Sequence, residues 1–509
     1  MSLAVLYSCG LSGMQAHEVR VEVHLASGLP AFNVVGLPDA GIRESRERVR
    51  AALLSAGYEF PAARITVNLA PADLPKDSGR FDLPIALGIL LASGQLQLVN
   101  EQGLGKALTG LDQYVLVGEL SLSAAVAAVQ APLLIAAGML RHWPHKKLML
   151  PYQSARLAVH VQGLNVLGVH SLRQAAAYLM GQEALPSIEP WPLQQPEESS
   201  LCMSDVRGQG VARRALEIAA SGGHSLLMSG TPGVGKTMLA QRLPGLLPDL
   251  DAEQTLELAA LSSLLTPVVR FNPRPPFRAP HHSASVAAIV GGGTRPLPGE
   301  ISLAHHGVLF LDEFPEFERR ALEALREPLE AGCVSIARAS GRVEYPARFQ
   351  LIAAMNPCPC GWSGHQHRVC RCTPERKQRY QQKLSGPILD RIDMQVFLSD
   401  LPEHWQQAPV GERSAVIRVR VELARRKQLA RQGVLNAALQ ACALDSIAVL
   451  DTEATSLLAQ AMKRWQWSGR VRHRVLRLAR TIADMADAQS IQAAHLSEAM
   501  SLRQQLNAS

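Results

Sequence analysis

The segment that most restricts what this chain can become is Leu226–Thr237. A short apolar run, Leu226-Leu-Met-Ser229, leads straight into Gly230-Thr-Pro-Gly-Val-Gly-Lys-Thr237, and the helical pattern MLAQRL follows. The spacing GxxxxGK[ST] between a strand and a helix has a well-understood physical use. Its glycines let successive backbone N–H groups curl round a phosphate, and the helix start adds partial positive charge. Gly230, Thr231, Pro232, Gly233, Val234 and Gly235 therefore form the candidate phosphate cradle. Lys236 is placed to reach the β- and γ-phosphates, and the Thr237 hydroxyl to hold Mg²⁺. The class of fold this demands is α/β, with the loop at the end of a buried strand.

Other strand ends complete such a site. Val308-Leu-Phe-Leu311 runs into Asp312-Glu313. Open α/β sheets bind ligands beyond the C-terminal ends of their strands, so the acidic pair belongs there. Asp312 is expected to hold Mg²⁺ and Glu313 to polarise an attacking water. The strand Gln350–Ala354 leads to Asn356, whose amide can touch a γ-phosphate or that water; the plainer reading is an Asn-Pro turn. Gly386-Pro-Ile-Leu-Asp-Arg391 offers an arginine able to neutralise transition-state charge across a subunit boundary. Ser468-Gly-Arg470 opens an Arg-rich helix with another. Taken alone, such an arginine is more often a surface ion pair.

A chain of 509 residues is too long for one core. Residues 1–183 read as an α/β unit: Val19, Val21, Val23 and Leu25 alternate with polar residues, Asp39 can cap a helix that Gly57 ends, and Arg64–Leu69 is a strand. Residues 184–204 hold four Pro with Glu and Ser, which marks a linker. A second α/β unit spans 205–400, and 401–509 has helical spacing throughout, as in Val475, Leu476, Leu478, Ala479 and Ile482. The apolar stretch Leu83–Val99 is broken by Pro84, Gly88 and Gly94, short of the roughly 20 residues a membrane helix needs. The first residues lack a charged n-region, so a cytoplasmic chain with reduced thiols is expected, with no membrane partner.

That compartment shapes the reading of the eight Cys. Four fall in two close pairs, Cys358-Pro-Cys360 and Cys370-Arg-Cys372, which can present thiolates tetrahedrally to a structural Zn²⁺. Reduced free thiols or a redox pair remain open readings. His365 and His367 are spare ligands, whereas Cys9, Cys202, Cys333 and Cys442 are isolated. The net charge of +7 is also local: residues 374–509 carry 20 basic and 13 acidic groups while the rest is balanced. A polyanion partner suits that excess, as does a solvated helical surface. Val334–Tyr345 alternates around Ser340-Gly341, the pattern of a β-hairpin. Arg338 and Arg342 near its tip suit DNA phosphates without reading bases, against the plainer reading of an ordinary sheet extension.

The order of motifs resembles AAA+ ATPases. Phe277–Ser285 (FRAPHHSAS), Gly291–Glu313 (GGGTRPLPGEISLAHHGVLFLDE) and Asn356–Gly361 (NPCPCG) resemble the magnesium-chelatase-like family more closely still. The resemblance extends over essentially the whole chain. It implies a Lon-protease-like domain over 1–183, an AAA+ P-loop NTPase core over 205–400 and a C-terminal helical lid over 401–509. It also implies a homohexameric ring whose ATP hydrolysis drives branch migration of DNA during recombination in natural transformation. By this resemblance Asn356 is the first sensor, Arg391 the arginine finger and Arg470 the second sensor; which arginine acts within a subunit is left open. Asp205–Gln209 resembles the segment that packs on adenine. The hairpin with Arg338 and Arg342 would project into the pore, with Gly291–Gly293 as another pore loop.

The first domain departs from the protease it resembles. Pro75-Lys-Asp77 looks like the lead-in to a Lon-type serine, yet the serine's offset holds Arg80 and the lysine's offset holds Leu133. Ser78 lies nearby with no matching lysine. Ser–Lys proteolysis therefore has no apparatus, and a scaffold is expected. The alternatives to a DNA motor are a magnesium-chelatase-type ATPase subunit and a protein-remodelling ATPase.

Overall fold

The computed structural model describes residues 2–36, 40–72, 79–98, 111–192, 201–266, 269–293, 296–338, 341–365, 367–400 and 409–504. They form two compact units. One is Met1–Gln194 with Thr255–Phe271; the other is Gln195–Gln254 with Asn272–Ser509. Asp39, Pro75–Ser78, most of the Pro-rich 184–204 stretch's second half (193–200) and the hairpin residue Ser340 lie outside the described residues.

In the first unit a sheet is ordered Ser2–Ser12, Gln15–Ala26, Arg64–Ala70, Ala31–Val35. The first three strands are antiparallel neighbours, and the fourth runs parallel to Arg64–Ala70. Val19, Val21 and Val23 are fully buried, so the two-residue alternation sets which face meets the core. The helix Asp82–Ala92 is buried along almost its whole length against this sheet. A separate parallel sheet joins Tyr114–Leu116, Lys147–Pro151 and Val166–Val169. Arg80 lies buried in a one-turn 3₁₀ segment, Gly79–Phe81. Its carbonyl accepts from the Gly118 N–H at 2.9 Å. Leu133 is fully buried inside the helix Pro132–His142. The offsets a protease would use for nucleophile and base thus carry a packed guanidinium and a core leucine. A second buried charged residue here is Asp82, whose carboxylate accepts from Arg48 Nε at 2.7 Å and from the Leu120 N–H at 3.3 Å.

The second unit is built on a five-stranded sheet. In spatial order its strands are Phe277–Arg278, Val308–Leu311, Gln350–Met355, Leu226–Gly230 and Met394–Leu398, each parallel to its neighbours. Numbered along the chain, that order is 2-3-4-1-5. Every residue of the strands Leu226–Gly230, Val308–Leu311 and Gln350–Met355 is buried, as parallel strands covered on both faces require. Strand 1 sits beside strand 4, and strand 4 beside strand 3. The residues that follow them, Gly230, Asn356 and Asp312, therefore open onto one crevice.

Four long helices, Ser414–Gln432, Thr452–Trp465, Gly469–Met485 and Ala493–Gln504, follow the sheet. Val475, Leu476, Leu478, Ala479 and Ile482 share one apolar core with the sheet strands. Polar contacts pin the same helix down. His224 Nε2 lies 2.7 Å from Thr481 Oγ1, and Arg474 donates to Asp393 at 3.1 Å. Asp484, almost fully buried, accepts from Arg431 and Arg480. Among the described residues, no helix is long and apolar enough to cross a membrane.

Candidate active site

The loop after strand 1 turns through left-handed backbone at Gly233 (φ 86°) and Gly235 (φ 94°), conformations that side chains with a Cβ rarely adopt. The helix Lys236–Arg242 begins at once. Lys236 is only 9% exposed. Its Nζ donates to the carbonyls of Gly230 at 2.6 Å and Thr231 at 3.0 Å, and to Asn356 Oδ1 at 3.0 Å. Burial pushes its pKa down to about 8, against the opposing pull of Asp312. Lysine and asparagine, 120 residues apart in the chain, are thus joined by the neighbouring placement of strands 1 and 4.

Thr237 Oγ1 donates to Asp312 Oδ2 at 2.6 Å, and Asp312 Oδ1 accepts from the Glu313 N–H at 2.9 Å. A hydroxyl and a carboxylate oxygen at this separation fit a shared hard divalent cation. Glu313 has left-handed backbone (φ 51°) and is half exposed on its side chain. Its Oε2 lies 2.9 Å from His282 Nδ1. These groups line one cavity of about 670 Å³, bounded by the loop from Pro232 to Thr237, by Phe277, His281 and His282, and by Phe310, Asp312, Glu313 and Asn356. The volume suits a nucleotide-sized ligand.

The other expected residues are not part of the cavity lining. Gln209 caps the helix Gly210–Gly222, with Nε2 donating to the Ser399 carbonyl at 2.8 Å and 3.5 Å from that of Val234. Arg391 donates to the Pro387 carbonyl at 2.7 Å and pairs with Glu330, while its Nε is buried without a hydrogen-bond partner among the described residues. Arg470 is exposed in the first turn of Gly469–Met485. Neither arginine lines the cavity. The hairpin pairs Cys333–Arg338 with Gly341–Pro346 in antiparallel register. Arg342 is exposed and donates to Ser335 Oγ; the side chain of Arg338 lies outside the described residues.

The four cysteines do converge. Cys358, Cys360 and Cys370 have Sγ atoms 3.4, 3.6 and 3.5 Å apart, and all four sulfurs, with Cys372, lie within 4.8 Å of one another. The edge of a tetrahedron of sulfurs bound to zinc is about 3.8 Å, so the donor set fits that ion. Backbone N–H donation from Trp362, ahead of the other causes, brings the Cys360 thiol down to about 6. His282 falls within the motif Phe277–Ser285 and reads from sequence as a satisfied polar contact, but its partner Glu313 is not legible there. The histidine lies just beyond the end of strand 2, in a position where side chains reach the crevice, but a His-His dipeptide carries no spacing that would single it out.

A parallel α/β sheet with this loop, acidic pair and strand-end asparagine defines a P-loop nucleotide-binding protein. Family comparisons agree in three consecutive pieces. Residues 21–154 match subunit ChlI of Mg-chelatase, 202–405 match magnesium chelatase, subunit ChlI, and 411–503 match its C-terminal part. The chain is 44% identical to competence protein ComM of Haemophilus influenzae over 513 residues, covering 99% of this chain and 98% of that one. It is equally similar, at 44% over 511 residues, to YifB of Salmonella typhimurium, covering 99% and 97%. The magnesium-chelatase 67 kDa subunit of Heliobacterium mobile is 28% identical over 200 residues, 33% of this chain and 30% of that protein. The chain belongs to the magnesium-chelatase-like AAA+ ATPase family, in the full-length group that includes ComM and YifB.

Proposed function

We propose that this protein is a cytoplasmic ATP-driven DNA motor that works as a homohexameric ring and promotes branch migration or unwinding during homologous recombination in natural transformation. The observation that carries the reading is the assembled site: Lys236 on Asn356, Thr237 on Asp312, and Glu313 at the cavity mouth. Full-length similarity to a competence protein supplies the DNA context.

In this reading the backbone of Gly230–Thr237 cradles the phosphates, and Lys236 exchanges its carbonyl and Asn356 partners for phosphate oxygens. Thr237 and Asp312 would hold Mg²⁺, which supplies charge neutralisation at the β- and γ-phosphates. Glu313 accepts a proton from the attacking water once it leaves His282, and Asn356 orients that water or the γ-phosphate. Gln209 lies toward the adenine side. Arg391 and Arg470, absent from the lining of the cavity, serve as arginine finger and second sensor, within the subunit or across its boundary. The Cys358–Cys372 cluster is a structural Zn²⁺ site. Arg338 and Arg342 contact phosphates of single-stranded or branched DNA. The domain assignment at 1–183, 205–400 and 401–509 completes the proposal, with the first domain a proteolytically inactive scaffold.

The test is ATP-dependent processing of a fluorescent four-way junction, with Glu313→Gln as the control. The reading requires junction turnover by the unaltered protein and none by the variant. If DNA neither binds nor stimulates ATP hydrolysis, the motor reading is wrong. The chelatase-type reading is favoured by the Heliobacterium match, but that match spans only a third of the chain.

A further inference from the structure

The segment from Asn356 to Tyr380 leaves the nucleotide cavity and comes back to it. It starts at the asparagine that accepts from Lys236. Cys358 follows two residues later, and Gly361 lies against the phosphate loop. A Cβ at Gly361 would sit 2.7 Å from Pro232 Cγ and 3.9 Å from Asn356 Cγ, at a φ of 81°. Next comes His365. Its Nδ1 accepts the N–H groups of His367 and Arg368 at 3.0 Å each, so the neutral ring carries its proton on Nε2. That nitrogen is 4.0 Å from Asp400 Oδ2, and the other Asp400 oxygen accepts from the Thr231 hydroxyl. After Cys372, the helix Pro374–Gln382 returns the buried Tyr380, whose phenol takes a hydrogen bond from the Asn356 backbone.

The loop therefore meets the nucleotide site at Asn356, at Pro232 and, through Asp400, at Thr231. Apolar packing holds its two ends, at the buried Cys358 and Tyr380, but little holds its middle: Val369 is 87% exposed, and Cys360, Cys370 and Cys372 are only half-buried. Thiols are weak hydrogen-bond partners. A cation shared by four of them is by far the strongest tie the loop can have, and its binding energy becomes ordering energy for the segment.

We infer that the four-cysteine cluster, closed by a thiophilic divalent cation such as zinc, is a positioning clamp for the phosphate loop, so that cation occupancy sets nucleotide affinity and turnover. This rests on the zinc and nucleotide readings above. Outer-shell contacts of this kind are worth about 10–100-fold, and a misplacement of about 1 Å at a reacting centre costs about 100-fold.

The experiment uses the full chain, purified without chelator under reducing conditions. Zinc per chain is measured by metal analysis, nucleotide affinity with a fluorescent ATP analogue, kcat and KM by phosphate release, and folding by circular dichroism. The cation is stripped with a thiol-directed mercurial, the thiols are recovered, and zinc is added back. The expected result is about one zinc per chain, a loss of about 10-fold or more in nucleotide affinity on stripping, and recovery on reloading. Gly361→Val should keep its zinc yet weaken nucleotide binding, because the atoms its Cβ meets are Pro232 Cγ at 2.7 Å, Pro232 Cδ at 2.8 Å and Asn356 Cγ at 3.9 Å. Cys442→Ser, remote from the cluster, should change nothing. Should Cys360→Ser fail to fold, stripping and Gly361→Val still decide the matter. Absence of zinc from protein with four reduced thiols overturns the metal reading and the clamp with it. Stoichiometric zinc whose removal, like Gly361→Val, leaves affinity and kcat within about twofold overturns the clamp alone.

Discussion

Lys236 gives a quantitative test of the nucleotide site. Burial lowers its pKa from 10.5 to about 8, although Asp312 pulls the other way. That shift corresponds to at most about 3 kcal/mol against the charged form, reduced because the cavity opens to solvent. A triphosphate beside the ammonium favours the charged form and returns the pKa toward its ordinary range. The sign follows: below about 8 the free lysine is already charged, and above it nucleotide binding must take up a proton. At about pH 8.5 the uptake is about 0.75 proton per nucleotide, falling to about 0.1 near pH 7. Affinity drops by close to tenfold per pH unit above that range. Calorimetric titration of Mg-ATP in two buffers of different ionisation heat reads the uptake directly. Glu313→Gln protein prevents turnover during the measurement. An uptake below about 0.2 at pH 8.5, with ATP bound, would refute the burial argument for Lys236.

Three further outcomes are expected. Glu313→Gln should cut kcat by about 10²–10⁴ while ATP affinity stays within a few-fold, since the carboxylate serves the proton and not the phosphates; turnover and binding assays separate the two. Asp393→Ala should cost about 3 kcal/mol in denaturant unfolding, because Arg474, His224 and the Ser225 N–H all lose a buried partner. Burial opposes ionisation of Asp393, yet His224 and Arg474 win and hold its pKa near 2 against a usual 3.8. The carboxylate's contribution is therefore fully present above 3.8 and disappears as pH falls to about 2, so Asp393→Asn should flatten that part of the stability-against-pH curve. Arg48→Ala should destabilise the first unit by about 3 kcal/mol by stranding the buried Asp82 carboxylate, and a double change with Asp82→Asn should recover part of the loss. Arg48→Ala protein as stable as the unaltered one would show the pair to be irrelevant.

Contiguous sequence was enough for everything that depends on spacing along one segment. GxxxxGK[ST] dictates its own loop because glycine dihedrals and helix starts are local properties. The alternation of Val19, Val21 and Val23 dictates a strand face, and the two Cys pairs suggest a four-sulfur cluster because a short loop can fold back on itself. Arg80 and Leu133 already stood at the offsets where a Ser–Lys protease would need its nucleophile and base.

What the tertiary structure decided is which distant segments share a crevice. The order 2-3-4-1-5 puts strand 1 next to strand 4, and only then does Lys236 meet Asn356. The same order brings His282, beyond strand 2, onto Glu313, beyond strand 3. It also lays the cysteine loop on Pro232, and it leaves Arg391 and Arg470 out of the lining of the cavity. The residues 255–271 joined the first unit despite lying between strands of the second. Such pairings carry no local signature. They follow from burying four apolar strands and a short edge strand in one sheet, a free energy that belongs to the whole core and not to any single segment.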